Sequence, residues 1–314
     1  MAAMSARLCA LILCTTFAAA ALAQPPAPEP PVELKLDPTF ADKVQIPAAP
    51  EIPSEEKKPD IFYVPTPQRL VDVMLLMAEV NKNDILYDLG SGDGRLVITA
   101  AKRYGARGIG IEVDPKLLAE ANKKAAAAKV QDKVEFRRQD LFTSDFSDAS
   151  VITLYLLDEL NERLRPRILA QVKPGTRIVS HAFRMGDWQP DSERLLKVNG
   201  ADYSAFFWVV PANISGRWRL SGDRYTKGLP ESVVIEQTFQ KFTIRRGDNG
   251  AELGEGSLSG SEFVITMNNP ADGNRISFTG KIDGNSIKAA AAGGRGTWKA
   301  EREAGSEKPI DPRT

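Results

Sequence analysis

Between residues 85 and 95 the chain reads Ile85-Leu86-Tyr87-Asp88-Leu89-Gly90-Ser91-Gly92-Asp93-Gly94-Arg95, an apolar run followed by an acid and three glycines at alternate positions. The run predicts a strand, the glycines a tight turn, and Leu96–Arg103 the helix that follows. Glycine permits positive φ and close approach of another group to the backbone. Such a turn at the carboxyl end of a parallel strand is where open α/β sheets bind nucleotides. This one feature excludes most all-helical and all-β architectures for the first half of the chain.

A dinucleotide fingerprint requires G-x-G-x-x-G, with the third glycine packing helix on strand. Gly90 and Gly92 fit, but the third place is Arg95, and the spacing is D-x-G-x-G-x-G. Asp88 and Asp93 would repel a pyrophosphate, whereas S-adenosylmethionine brings an ammonium, a sulfonium and a ribose. A second strand, Gly108-Ile109-Gly110-Ile111-Glu112, ends in an acid suited to ribose hydroxyls. A third, Val134–Gln139, runs into Asp140-Leu141, where an adenine edge would lie. Singly, each has a plainer reading: Asp93 as a helix N-cap, Glu112 and Asp140 as solvated strand-end charges.

Taken in this order, the motifs resemble those of the class I S-adenosylmethionine-dependent methyltransferases, over residues 61–211. Tyr63-Val64-Pro65-Thr66-Pro67 before the first helix, with residues 87–95, is similar to the small protein-lysine methyltransferases of the ATP synthase c-subunit type. The resemblance implies a Rossmann-like seven-stranded sheet with S-adenosyl-L-methionine as cofactor. It places Asp88, Gly90 and Gly92 around the methionine end, Glu112 at the ribose and Asp140 at the adenine, with Tyr63, Thr66, Ser91 and Leu141 also expected at the cofactor.

Helix and strand signals alternate accordingly. Leu70, Val71, Met74, Leu75 and Ala78 fall at helical spacing after Pro67. Pro115 opens a second helix through Lys129. Val151–Leu156 is apolar throughout, as a strand buried on both faces should be, and Asp158–Val172 is a helix stopped by Lys173-Pro174-Gly175. Arg177–Ala182 is a fifth strand, and Arg194–Val198 with Ala205–Val210 a closing hairpin. After Pro211 short β runs alternate with turns such as Asp272-Gly273-Asn274 and Asp283-Gly284-Asn285. Six runs (214–220, 233–239, 242–245, 262–267, 275–282 and 297–302) predict an antiparallel barrel or sandwich over 212–303, with 304–314 as a flexible tail. Gly216-Arg217-Trp218 is similar to the first-strand motif of lipocalin-like barrels, with Trp218 read as core. This β unit should bury its own core, so that a chain ending near Ala212 still binds S-adenosylhomocysteine.

At the other end, Arg7, the apolar run Leu8–Ala20 and Ala21-Leu22-Ala23 form the pattern of a secretory signal peptide, residues 1–23. The expected address is periplasmic or secreted, without a membrane span after cleavage. Both cysteines, Cys9 and Cys14, lie inside that signal, so thiol chemistry, disulfides and a metal site are not expected. Residues 24–60 are rich in proline and charge and read as an extended disordered spacer. Lysine plus arginine equal aspartate plus glutamate at 41 each, which argues against a nucleic-acid partner.

Methyl transfer needs an aligned, unprotonated nucleophile. Leu154-Tyr155-Leu156-Leu157-Asp158 stands just past the fourth strand, where Tyr155 would hydrogen-bond an incoming amine and Asp158 would take its proton. Asp158 equally suits the first turn of the helix it begins. His181, the only histidine, either lines the pocket or is a structural hydrogen-bonded residue. The reading is thus a methyltransferase acting on an acceptor such as a protein lysine. Its alternatives are an exported binding module with the same fold and no turnover, and a nucleotide-dependent oxidoreductase.

Overall fold

Strands that read apolar from end to end must be covered on both faces, and helices do the covering here. In the computed structural model, which describes residues 62–222, 230–268, 273, 275–291 and 296–313, the first half alternates as expected. Its elements are α1 (Gln68–Met77), β1 (Ile85–Leu89), α2 (Arg95–Tyr104), β2 (Arg107–Glu112), α3 (Pro115–Ala128), β3 (Val134–Arg138), β4 (Val151–Leu154), α4 (Asp158–Gln171) and β5 (Arg177–His181). A hairpin follows, β6 (Ser192–Val198) and β7 (Ala201–Val209). Residues 1–61, which include the expected signal and spacer, lie outside the described residues, as do Asp272 and Asn274 of one expected turn.

The sheet order is β3-β2-β1-β4-β5-β7-β6, parallel from β3 through β5 and antiparallel at β7. Between β1 and β4 the winding reverses, leaving a crevice outside the carboxyl ends of those strands. Two apolar cores flank the sheet. Leu70, Val71, Met74 and Leu75 of α1 pack with Val97 and Ala100 of α2 on one face. Leu164 and Ile168 of α4 pack with Ile152, Leu154, Trp188 and Trp208 on the other. Among the described residues no helix is long and apolar enough to cross a membrane.

The second half is a closed barrel: β8 (Gly216–Gly222), β9 (Ser232–Thr238), β10 (Lys241–Arg245), β11 (Glu252–Ser259), β12 (Glu262–Asn268), β13 (Arg275–Asp283), β14 (Ser286–Ala291) and β15 (Thr297–Arg302). Six of these match the runs read from the sequence; β11 and β14 are not among them. Both are poor in strand formers, β11 carrying two glycines and β14 lysine and alanine. The tertiary reason for one glycine is plain: a Cβ on Gly256 would stand 2.3 Å from the Phe242 ring. Trp218 is core as read, fully buried, its Nε1 donating to Ile214 O at 2.8 Å and the Arg302 guanidinium lying over its ring.

Two expectations about the second half need correction. Residues 304–313 are not a free tail: Ile310 and Asp311 are buried, and Asp311 takes the fully buried Arg165 guanidinium through Nε (2.7 Å) and Nη2 (2.8 Å). Pro166 next to it has no N–H for the Glu162 carbonyl, and Arg313 reaches both that carbonyl and the Glu162 carboxylate. Nor is the boundary at Ala212 clean: the barrel buries a core of its own around Trp218, Phe263 and Phe278, as expected, yet it shares one side chain with the sheet. Phe239, just past β9, belongs to the sheet's core, stacked on Trp188 at 5.6 Å. Cutting at Ala212 would strand Arg165 in the interior without Asp311 and expose Trp188.

Removing one partner of a buried ion pair leaves the other uncompensated, at about 3–5 kcal/mol. Asp311→Ala should lower stability by up to about that amount in urea unfolding, since Asp187 still pairs with the Arg165 guanidinium. The double change Arg165→Met with Asp311→Leu should cost less than Asp311→Ala alone.

Candidate active site at the carboxyl edge of the parallel strands

Gly90, Gly92 and Gly94 all take positive φ (86°, 53° and 76°), as the turn requires. The backbone turns from β1 into α2 so tightly that the amides of Gly90 and Ser91 both bond the Ile111 carbonyl of β2. At Gly92 the absent side chain makes room for a protein ring: an added Cβ would sit 2.3 Å from Tyr63. The segment before α1 therefore lies across the glycine turn. Arg95 fixes it there, donating to the Thr66 carbonyl at 2.7 Å and reaching the Tyr63 hydroxyl at 3.3 Å. The residue that breaks the dinucleotide fingerprint is thus the clasp of this site.

Three buried acids converge at this edge, and each is compensated differently. Asp93 is not the helix cap, a place taken by Gly94. Burial pushes Asp93 up, but hydrogen bonds from Arg95 and from Lys124 (2.5 Å) outweigh it and hold its carboxyl well below the usual range. Glu112 accepts from three backbone amides, Gly92 at 2.9 Å, Val113 at 2.8 Å and Asp114 at 2.9 Å. Asp88, 3% exposed, accepts from the Thr153 hydroxyl at 2.7 Å, its register partner on β4. Burial drives Asp88 up to about 7; the Thr153 bond opposes this, and Glu112 and Asp93 add to it.

The other sequence-named residues fall along the same edge. Ser91 is buried, and its Oγ has no hydrogen-bond partner among the described residues. Asp140 closes the turn after β3, its Oδ1 accepting from the Phe142 amide at 2.9 Å, and Leu141 packs against the core. Tyr155 follows β4, half-buried, its ring stacked on His181 with centroids 3.7 Å apart. Asp158 is exposed at the start of α4 and accepts from the Arg184 amide at 2.6 Å, which ties down the loop after β5. The strand order thus puts the cofactor set on β3, β2 and β1, and Tyr155 with His181 across the switch point on β4 and β5. Sequence reasoning missed the clasp of Arg95 and Lys124 on Asp93; two elements, α2 and β2, separate Lys124 from the turn, and no spacing announces it.

A family model described as the ANTKMT methyltransferase domain matches residues 88–192. A protein-lysine N-methyltransferase of Saccharolobus islandicus is 36% identical over 153 residues, 48% of this chain and 95% of its own length. The chain belongs to that methyltransferase family. The ATP synthase c-subunit lysine N-methyltransferase of Mus musculus is 28% identical over 144 residues, and this chain spans 58% of its length. Among solved structures, an RNA methyltransferase from Salinibacter ruber in complex with S-adenosyl-L-homocysteine is 52% identical, covering 48% of this chain and 96% of that one, with a TM-score of 0.45. The family is S-adenosylmethionine-dependent, and the geometry fits that cofactor: a buried carboxyl with its pKa raised and a Ser91 hydroxyl without a partner among the described residues meet at one edge. The oxidoreductase reading has no support.

A cationic ligand end beside Asp88 favours its ionised form, so binding should release a proton. S-adenosylmethionine affinity should rise with pH up to about 7, by at most about tenfold per unit, and level off above. In the free protein the folded pKa exceeds the unfolded one. The stability Asp88 contributes is therefore full below about 4 and lost as pH rises through about 7. Titration calorimetry and thermal melts from pH 5 to 8 check both; Asp88→Asn should flatten both profiles and weaken binding at least tenfold.

Proposed function

We propose that this methyltransferase N-methylates lysine side chains of a protein acceptor. The observation that carries the reading is the lining on the acceptor side of the switch point. Tyr155, His181, Phe183 and Tyr203 form a continuous run of rings, and burial pulls His181 down to about 4, so that the ring is neutral at neutral pH. Uncharged aromatic walls favour the neutral amine over the ammonium by desolvation, and methyl transfer needs the neutral amine. The lysine methyltransferases of Saccharolobus and mouse support it as relatives.

In this reading Asp88, Gly90, Ser91 and Gly92 surround the methionine end, Glu112 the ribose, and Asp140 with Leu141 the adenine, while Tyr63 and Thr66 close the near wall. Bound there, S-adenosylmethionine supplies a methyl group on a sulfonium. An acceptor amine whose lone pair faced that methyl would take it with S-adenosylhomocysteine as the other product, its proton passing to water. Tyr155 aligns the amine, and Asp158 holds the loop that carries Phe183. We further propose a periplasmic or secreted address, supported by the signal pattern of residues 1–23.

Incubating the protein with labelled S-adenosylmethionine and either a proteome or total RNA separates the acceptor classes. Label on lysine in acid hydrolysates of protein is expected; label in RNA with none on lysine overturns the reading, and label in neither favours a binding module. For the address, mass spectrometry of protein from the cell envelope or medium should find Gln24 at the N-terminus. An intact Met1 on protein confined to the cytosol would refute export.

A further inference from the structure

Where β5 ends, the chain does something that L-residues avoid. Ala182 has φ 64°, in the left-handed region, and the Phe183 amide turns back to bond the His181 carbonyl at 2.8 Å. Such a bend persists only where its surroundings impose it, and it tends to mark functional positions. Here the surroundings are explicit. The Ala182 amide bonds Ser204 O of β7, the fully buried Asn161 of α4 donates to the Ser180 hydroxyl and to the Arg184 carbonyl, and Asp158 holds the Arg184 amide.

The bend presents His181 to the acceptor side. One ring nitrogen, Nδ1, lies 3.1 Å from the Thr66 hydroxyl, and the ring is clamped between Tyr155 at 3.7 Å and Tyr203 at 5.7 Å. The ring is 2% exposed, yet Thr66 is its sole hydrogen-bond partner among the described residues, which leaves Nε2 without one. Thr66 belongs to the segment that Arg95 clasps onto the glycine turn, so the imidazole is oriented by the same unit that walls the cofactor side.

We propose that His181 is the acceptor-contact residue: Nδ1–H donates to Thr66 Oγ1, and the Nε2 lone pair accepts an N–H from the incoming amine. That contact leaves the amine's own lone pair free to face the methyl group. A second ring-nitrogen proton would abolish the acceptor and repel an ammonium, and the surrounding groups, Thr66, Tyr155 and Tyr203, supply no negative charge to hold one. The inference rests on the lysine reading above, because the contact is argued for a neutral amine that donates an N–H to Nε2 while its lone pair faces the methyl group.

A conjugate of the cofactor tests it without turnover. In it the sulfur of S-adenosylhomocysteine is replaced by nitrogen linked through two carbons to a lysine amine. The wild-type protein should bind this conjugate about tenfold more tightly than S-adenosylhomocysteine, the scale of one well-made hydrogen bond. His181→Phe, which keeps a stacking ring, should lose the preference while thermal midpoint and S-adenosylhomocysteine affinity stay at wild-type values, and Thr66→Val should lose it relative to that variant's own S-adenosylhomocysteine affinity. Thr66→Ser should keep the preference. If His181→Phe retains it, or loses S-adenosylhomocysteine binding and stability in parallel, the inference is overturned and His181 belongs to the fold. If the wild type itself shows no preference, the lysine reading has failed instead.

Discussion

Three carboxyl groups buried at one strand edge are the constraint around which this molecule is arranged. Unpaired, they would repel each other and lose solvation, each at a cost of several kcal/mol. Asp93 is answered by two cations, Glu112 by three backbone amides, and Asp88 by one hydroxyl and a pKa raised to about 7. Asp88 is the member that the protein leaves least compensated, and a cationic ligand end would complete it. The glycine turn, the clasp of Arg95 and the register of β1 on β4 all serve this arrangement.

The clasp also couples the two sides of the crevice. Arg95 holds Asp93 and Thr66, and Thr66 holds His181, so a single chain of contacts runs from the glycine turn to the ring stacked on Tyr155. Without the segment 63–67 the turn would lose the Tyr63 ring from Gly92, and the His181 ring would lose its one hydrogen bond among the described residues. This explains why a short stretch with no secondary structure of its own is as informative as the strand that follows it.

The barrel is attached differently from a bead on a string. Arg165 of α4 is satisfied by Asp311 from beyond β15, by the Met185 carbonyl and by Asp187, and Phe239 from the barrel fills the core beside Trp188. The loop carrying Met185 and Asp187 begins at the Ala182 bend, so the ion pair that anchors the C-terminal segment braces the acceptor side as well. That continuity gives the second half a mechanical link to the site from which it is remote in sequence.

What the sequence determined by itself is whatever follows from local pattern. An acid before alternating glycines, apolar strands and strand-end acids at successive spacings specified the winding and set Asp88, Glu112 and Asp140 along the carboxyl edge of the parallel strands. Trp218 as core and six of the barrel strands were likewise legible from alternation and turn residues. Tertiary structure alone decided the rest, because the partners meet across large separations that no local spacing encodes. Lys124 reaches Asp93 over 31 positions, Thr66 reaches His181 over 115, and Asp311 reaches Arg165 over 146. The strands β11 and β14 belong to the same class: weak by propensity, they exist because the barrel closes around them and an aromatic ring covers the glycine of one.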